Sequence, residues 1–308
     1  MSTPTPIDSE LIAAHLREAC PERAAELKTF WENFEPIFEL KPDGKGHPIS
    51  ARVKKVSWMH KAFAHDWVVA FAGFKSIAPY SPHVLLGVFY GALTAEALAA
   101  DLDLNDAEAE MEDLLLFARD IRLIDSLDDL DWIDAISEPS FDRALLNTKD
   151  MACFDLACIS AAATFLHELR HVRFAVEKNS PVLNADEERE CDKFSRSMLL
   201  DQVEVYCASS GEDLIRVKSK RLMGLAITAF AIVIGEPANM NAAVSDTHPP
   251  VKERFDLLVM EAEVPEHAYC WLFIACLLIA ILRQRSLLPP VVPCTSVKNL
   301  CLELLKLL

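Results

Sequence analysis

The stretch from residue 147 to residue 177, NTKDMACFDLACISAAATFLHELRHVRFAVE, decides the fold class of this 308-residue chain. Asn147 can cap a helix, and an acid, Asp150, follows three residues later, which is typical of a helix start. The residues that follow are apolar almost without interruption up to Leu166. We therefore predict a long helix that is buried in the core of the protein.

The composition of the rest of the chain agrees with this reading. The chain is 52% hydrophobic and 25% charged, and only 8 of its residues are glycine, so it can bury a large core and contains few turn-formers. We predict a mainly α fold and leave open an α+β fold with a small sheet. The formal net charge of −17 disfavours binding to the phosphate backbone of nucleic acids.

Along the chain, residues 9 to 40 look helical, and Pro79-Tyr80-Ser81-Pro82 reads as a turn. The segment 101–138 holds fourteen acidic residues against two arginines, and its apolar residues recur at helical spacing. It reads as a solvated helix face, with a docking surface for a basic protein as the alternative. We place a boundary at Pro139-Ser140, which separates a helical amino-terminal region, 1–138, from a second domain, 139–308.

The cysteines and the apolar runs indicate the cellular compartment of the protein and its relation to membranes. Nine cysteines without a CxxC pair lie in apolar runs, and the chain starts without a secretory signal, so we expect a cytoplasmic protein with cysteines as core residues. The apolar runs 222–235 and 268–282 are shorter than the span of about 17 to 20 residues that crosses a membrane. We predict buried helices there and no transmembrane span, and leave peripheral membrane contact open.

The long helix ends in the motif that carries the chemistry, His167-Glu168-Leu169-Arg170-His171. Residues four apart lie on one helix face, so His167 and His171 can bind one zinc ion. Glu168 would then lie beside the metal and act as a general base. This is the HExxH arrangement of zinc-dependent hydrolases.

A catalytic zinc site needs a third protein ligand. The stretch from Asn184 to Glu187 reads as the start of a second helix, which can run antiparallel to the first. On it, Glu188 and Asp192 form an i,i+4 pair of like charges, which repel each other unless a cation lies near them. We predict Glu188 as the third ligand, with Glu187 and Glu190 as rivals, and Asp192 as the acceptor for a ring N–H of His167.

A third landmark, DTHPPVKERF at residues 246–255, follows an apolar helix. His248 and Arg254 are candidates for stabilising the oxyanion that forms during hydrolysis of an amide, and a structural turn is the alternative.

The combination of HELRH, DEERECDKF and THPPVKERFDLL, within residues 147–258, resembles the Lit-type peptidases of phage exclusion, a group of gluzincins. The resemblance implies a gluzincin-like helical core with zinc at His167, His171 and Glu188, and with Glu168 as the catalytic base. It also implies a protein substrate, elongation factor Tu, and a peptidase that stays inactive until infection supplies a protein or peptide activator.

We therefore interpret the chain as a zinc-dependent endopeptidase acting on a cytosolic protein. One alternative is a regulatory gluzincin that cleaves a repressor, although such a protein would usually carry or neighbour a DNA-binding module. The other is a helical interaction protein with a structural zinc site. Structural zinc sites normally have four protein ligands, and three are recognisable here, which favours catalysis.

Overall fold

The computed structural model describes residues 5–44, 48–91, 93, 98, 100–101, 104–140, 142–235, 249–287 and 293–308. Helices dominate these residues, and one small sheet accompanies them, which confirms the predicted mainly α class. The helices are α1 (Ser9–Ala19), α2 (Ala24–Phe34), α3 (His60–Tyr90), α4 (Leu104–Leu123), α5 (Thr148–Glu177), α6 (Asn184–Leu200), α7 (Val203–Ser210), α8 (Leu214–Gly235), α9 (Val251–Glu261), α10 (Tyr269–Gln284) and α11 (Val297–Leu305).

The sheet lies in the amino-terminal part of the chain. Its strands are β1 (Thr5–Ile7), β2 (Ile37–Lys41), β3 (Ile49–Arg52) and β4 (Lys55–Met59), in the order β1-β2-β4-β3. The central pair, β2 and β4, is parallel, and the two outer pairs are antiparallel. Strand β3 is thus an edge strand, and it packs against α5.

Helix α5 lies at the centre of the protein, where α3, α6, α8 and the sheet pack around it. Its start is capped by Asn147, whose side-chain oxygen accepts hydrogen bonds from the backbone N–H groups of Lys149 and Asp150 at 2.9 and 3.0 Å. It ends at Lys178, which has the left-handed conformation that stops a helix. Burial of its apolar residues fixes the helix, and with it the HELRH motif, in the core.

Two local predictions from the sequence are wrong. Pro79 and Pro82 do not mark a turn but lie inside α3, where the burial of Tyr80 and Val84 outweighs the lost backbone hydrogen bonds. The stretch 9–40 is not continuously helical: it breaks after Ala19, and β2 occupies its end because pairing with β4 stabilises the extended chain there.

The second helix of the motif region also differs in detail from its prediction. Helix α6 begins at Asn184 with Leu183 as its N-cap, and no side chain caps it. Asn184 therefore lies in the first turn, one residue inside the helix.

The acidic segment forms α4 and the residues after it. Met111, Leu114 and Ala118 are buried on one face of α4. The apolar residues at helical spacing thus pack against the core, as expected for a helix whose other face is solvated. Two acids of α4 form ion pairs with other helices, Glu108 with Arg283 and Glu110 with Lys75. Its role as a docking surface stays a prediction, as does the domain boundary at Pro139-Ser140.

The two apolar runs are core helices. They form most of α8 and α10, and α10 is almost completely buried from Cys270 to Leu282. Among the described helices, α5 alone is long and apolar enough to cross a membrane, and 67% of its most apolar window is buried inside the protein. All nine cysteines are free thiols.

Candidate metal centre

The HELRH motif places two imidazoles side by side on the face of α5 that meets α6. The Nε2 atoms of His167 and His171 lie 3.3 Å apart. Helix α6 presents Glu188 to both rings, with Oε2 3.2 Å from Nε2 of His167 and Oε1 3.3 Å from Nε2 of His171. Three residues that the sequence singled out as zinc ligands thus meet at one point.

The spacing of these atoms fits a zinc ion. Zinc binds imidazole nitrogen and carboxylate oxygen at about 2.0 to 2.2 Å with tetrahedral geometry, so neighbouring ligand atoms lie about 3.3 to 3.5 Å apart. The Nε2–Nε2 separation of 3.3 Å and the two nitrogen–oxygen separations of 3.2 and 3.3 Å come close to this. The donor set of two imidazoles and one carboxylate leaves the fourth position open, as in catalytic zinc sites.

Carboxylates on α6 hold the opposite side of each ring. Nδ1 of His167 lies 2.9 Å from Oδ1 of Asp192, and Nδ1 of His171 lies 2.7 Å from Oε1 of Glu187. A proton on each Nδ1 satisfies these contacts and leaves the lone pair of the neutral ring on Nε2, where a metal can use it. Glu187 thus supports His171, whereas the other rival ligand, Glu190, is exposed to solvent.

The charges of the centre shift the pKa values of its members. Burial lowers the pKa of His167, but the hydrogen bonds with Asp192 and Glu188 outweigh it and raise that pKa to about 9. The pKa of His171 is also raised, because contacts with Glu188 and Glu187 outweigh burial. Burial raises the pKa of Glu188, but its bonds to the two histidines hold it well below its usual range. In the metal-free protein the centre is therefore a cluster of ion pairs.

A second residue, Cys191, competes with Glu188 for the role of third ligand. Its sulfur lies within 4.8 Å of ligand atoms of His167 and His171, so these three residues also form a geometric group that could hold a metal. Cys191 is completely buried, and burial together with the charge of Glu188 raises the pKa of its thiol well above its usual range. A cysteine binds zinc as a thiolate, which this burial disfavours. We therefore favour Glu188, which is already ionised and contacts both rings.

Glu168 faces the same space. Only 9% of the residue is exposed, and it lines the same cavity as His167. Among the described residues, it has no hydrogen bond or ion pair. A buried carboxylate without a partner costs stability, and such groups are common where a protein needs a base.

Arg254 joins the cluster from α9. Its Nη2 atom lies 3.0 Å from Oε2 of Glu188, and its Nε atom lies 3.0 Å from Oδ2 of Asp192. The guanidinium thus contacts carboxylates of the centre, which suits a positioning role better than the predicted oxyanion role. His248 lies outside the described residues.

Further ion pairs hold α9 against α6. The carboxylate of Glu253 accepts two hydrogen bonds from Arg189, at 2.6 and 3.1 Å, and Arg196 pairs with Glu261. Helix α9 is therefore fixed beside the metal centre along most of its length.

The charged residue inside the motif, Arg170, lies away from the centre. Its guanidinium lies over the ring of Phe174, 4.2 Å from the ring centroid, and also approaches Phe194 of α6. Its charge therefore contributes cation–π contacts that pack the two helices together.

A cavity of about 610 Å³ opens beside the metal centre. Its walls come from β3, α3, α4, α5, α6, α8 and α9, and His167, Glu168, Glu188 and Arg254 line it. The cavity is large enough for several side chains of a peptide, and it gives that peptide access to the face on which Glu168 lies.

A comparison with known protein families identifies the family of this chain. The model of the Peptidase U49 family matches residues 56–274, which include α3, the metal centre and α9. The chain belongs to the Peptidase U49 family. The match confirms that the protein is a peptidase, and a peptidase requires a protein or peptide substrate. No curated protein and no solved structure matches the chain significantly.

Some residues of this candidate site were not assigned from the sequence. Glu187 was a rival ligand, and nothing in the chain order indicated that it holds Nδ1 of His171. The clamp between Arg189 and Glu253 joins residues that are 64 positions apart, so no local pattern reveals it. The like-charged pair Glu188 and Asp192 was the one local signal for this helix.

Proposed function

We propose that this member of the Peptidase U49 family is a zinc-dependent endopeptidase that cleaves a cytosolic protein. The observation that carries the proposal is the contact of the Glu188 carboxylate with both imidazoles. One of its oxygens lies 3.2 Å from Nε2 of His167, the other lies 3.3 Å from Nε2 of His171, and the two Nε2 atoms lie 3.3 Å apart. A zinc ion bound there would supply Lewis acidity, which polarises the scissile carbonyl and activates water.

Glu168 would carry the proton transfers. It lines the same cavity as His167 and forms no hydrogen bond or ion pair among the described residues, so its carboxylate is available to a water molecule. It takes a proton as the water oxygen attacks the peptide carbonyl, and it then passes that proton to the leaving amine. Asp192 and Glu187 hold the imidazole rings, and Arg254 holds the two carboxylates of α6. His248 stays a candidate for oxyanion stabilisation.

The edge strand β3 would hold the peptide. The backbone N–H of Met59 donates to the carbonyl of Pro48 at 2.9 Å, and Ser50 pairs with Ser57. Because hydrogen-bonded pairs alternate in an antiparallel ladder, Ile49 and Ala51 direct their backbone groups away from β4. No described strand pairs with that outer edge. Since Pro48 and Ile49 also line the cavity, an extended peptide that adds to β3 would run beside Glu168.

The identity of the substrate rests on the resemblance to the Lit-type peptidases. That resemblance makes elongation factor Tu the first substrate to test, in a phage-exclusion role in which an infection-derived protein or peptide activates the enzyme. A repressor is the alternative substrate. A search for new cleavage termini in a bacterial proteome, after expression of the wild type and of a Glu168→Gln variant, separates the two.

Removal of the metal tests the proposed chemistry. We expect a chelator to abolish cleavage, and one equivalent of zinc to restore it, because the three ligands lie preformed and a catalytic zinc cannot be replaced by protein groups alone. Metal content and cleavage are measured on the same samples, with magnesium as the control for add-back. Full cleavage by protein that holds no transition metal would contradict the proposal.

The edge-strand role predicts the effect of Ala51→Pro. The substitution removes the N–H group that faces the peptide, at a strand edge that tolerates proline. One lost hydrogen bond is worth about 0.5 to 1.5 kcal/mol, so kcat/KM should fall by about two- to tenfold while zinc content stays the same. Ala51→Val, which keeps the N–H group, is the matched control. Equal kcat/KM values for the two variants would remove β3 from peptide binding.

A further inference from the structure

The cavity beside the metal centre has a second polar region. His65 and Asp66 on α3 and Arg122 at the end of α4 line the same cavity as His167 and Glu168. The lining of the cavity also includes apolar and weakly polar residues, such as Ala229 on α8 and Thr164 on α5. None of the residues of this second region takes part in the proposed chemistry.

The imidazole of His65 is buried there with a ring nitrogen unused. The residue is 1% exposed, and its Nε2 atom has no hydrogen-bond partner among the described residues. Its Nδ1 atom lies 3.6 Å from Oδ1 of Asp66. Burial lowers the pKa of His65, and the charge of Arg122 lowers it further, which outweighs the effect of Asp66. The ring is therefore neutral and can accept or donate one hydrogen bond at Nε2.

The carboxylate of Asp66 is also largely buried, with few contacts to other described side chains. The residue is 9% exposed, and the contact with His65 is the one ion-pair contact that the described residues give it. Arg122 brings a positive charge to the same region, and its Nη1 atom donates to the carbonyl oxygen of Ala231 at 3.4 Å. The region thus contains hydrogen-bond acceptors and donors, and the formal charges of His65, Asp66 and Arg122 sum to zero.

We propose that His65, Asp66 and Arg122 form a specificity subsite that takes a neutral, amide-bearing side chain of the substrate, glutamine or asparagine. An amide carries two donors for a carboxylate and one acceptor for a guanidinium or imidazole N–H, so it matches the region in both respects. A lysine side chain is attracted by Asp66 and repelled by Arg122, and a glutamate side chain is attracted by Arg122 and repelled by Asp66. Burial of an apolar side chain leaves the polar groups unpaired.

This inference rests on the proposed function, because the side chain belongs to a peptide held at the metal centre. It is tested by binding rather than by turnover. The probes are hydroxamates, which bind zinc, each carrying one side chain beside the hydroxamate group: glutamine, methionine, glutamate or lysine. Acetohydroxamate, which has no such side chain, reports on the metal centre alone. Binding is measured to the zinc-loaded full-length protein by calorimetry.

The wild type should bind the glutamine probe at least about tenfold more tightly than the methionine probe, which has nearly the same length and no donors. Asp66→Asn removes the negative charge and should make the glutamate probe the tightest. Arg122→Met removes the positive charge and should make the lysine probe the tightest. Both variants should bind acetohydroxamate as the wild type does.

Two results would overturn the subsite. One is affinities of the four probes for the wild type that agree within about threefold, a measurement that needs no variant to fold. The other is an unchanged order of affinities in folded Asp66→Asn and Arg122→Met. A zinc-loaded wild type that fails to bind acetohydroxamate removes the proposed metal centre, and with it the subsite, so the two failures are distinguishable.

Discussion

Glu168→Gln is expected to lower kcat/KM for peptide cleavage by about 10²- to 10⁴-fold, the range that a general base contributes. Glutamine has nearly the shape of glutamate but cannot take a proton from water. Because Glu168 is not one of the three proposed zinc ligands, the zinc content should stay the same. The measurements are steady-state cleavage and the zinc content of the purified protein.

Glu190→Gln is the matched control, because it removes the same charge from an exposed residue of α6. It should leave kcat/KM unchanged. The melting temperature gives a second readout, which shows whether the variant is folded. Glu168 forms no hydrogen bond or ion pair among the described residues, so its neutralisation removes only its electrostatic attraction to the two histidines. A Glu168→Gln variant that cleaves at the rate of Glu190→Gln would show that the base lies elsewhere.

Glu188→Gln is expected to weaken zinc binding by at least about a hundredfold. Loss of a residue that supports a metal ligand typically weakens binding by about 10- to 100-fold, and loss of the ligand itself costs more. The amide keeps the size of the side chain but carries no negative charge, and it cannot accept from both imidazoles as the carboxylate does. Zinc affinity is measured by competition with a chelating dye.

Cys191→Ala separates the two candidates for the third ligand. If Glu188 binds the metal, the Cys191→Ala variant should keep its zinc affinity and lose only some stability, because a buried side chain has been shortened. Cobalt substitution adds a spectroscopic test, since a thiolate ligand gives an intense charge-transfer band and a carboxylate does not. Strong zinc binding by Glu188→Gln, together with loss of zinc from Cys191→Ala, would transfer the ligand role to the cysteine.

Helical regularity explains what the sequence could predict of this site. His167 and His171 share a face because they are four residues apart, and Glu188 and Asp192 share one for the same reason. Which acid of α6 meets which imidazole depends on how α6 docks on α5, so Glu187 could not be assigned before the structure. The role of Arg254 depends on contacts 62 to 66 positions away along the chain, which leave no local pattern.

The fold shows the same division between local and long-range causes. The start of α5 follows from the cap at Asn147 and the apolar run behind it, and it was predicted. Strands β2 and β4 have only five residues each, and their pairing is parallel, so it depends on a connection through β3 rather than on either sequence. In α3, the local signal of Pro79 and Pro82 for a turn was overruled by packing.

The position of α9 has a consequence for the order of events during synthesis of the protein. A nascent chain that ends at Leu200 already contains His167, His171, Glu188 and Glu168. It contains neither Arg254 nor the cavity walls that α8 and α9 provide. Because domains acquire their packing as the chain is completed, the carboxylates of α6 obtain their cationic partner only after residue 254 has left the ribosome. The cavity and the contacts of Arg254 with α6 would therefore form later than the helices that carry the ligand residues.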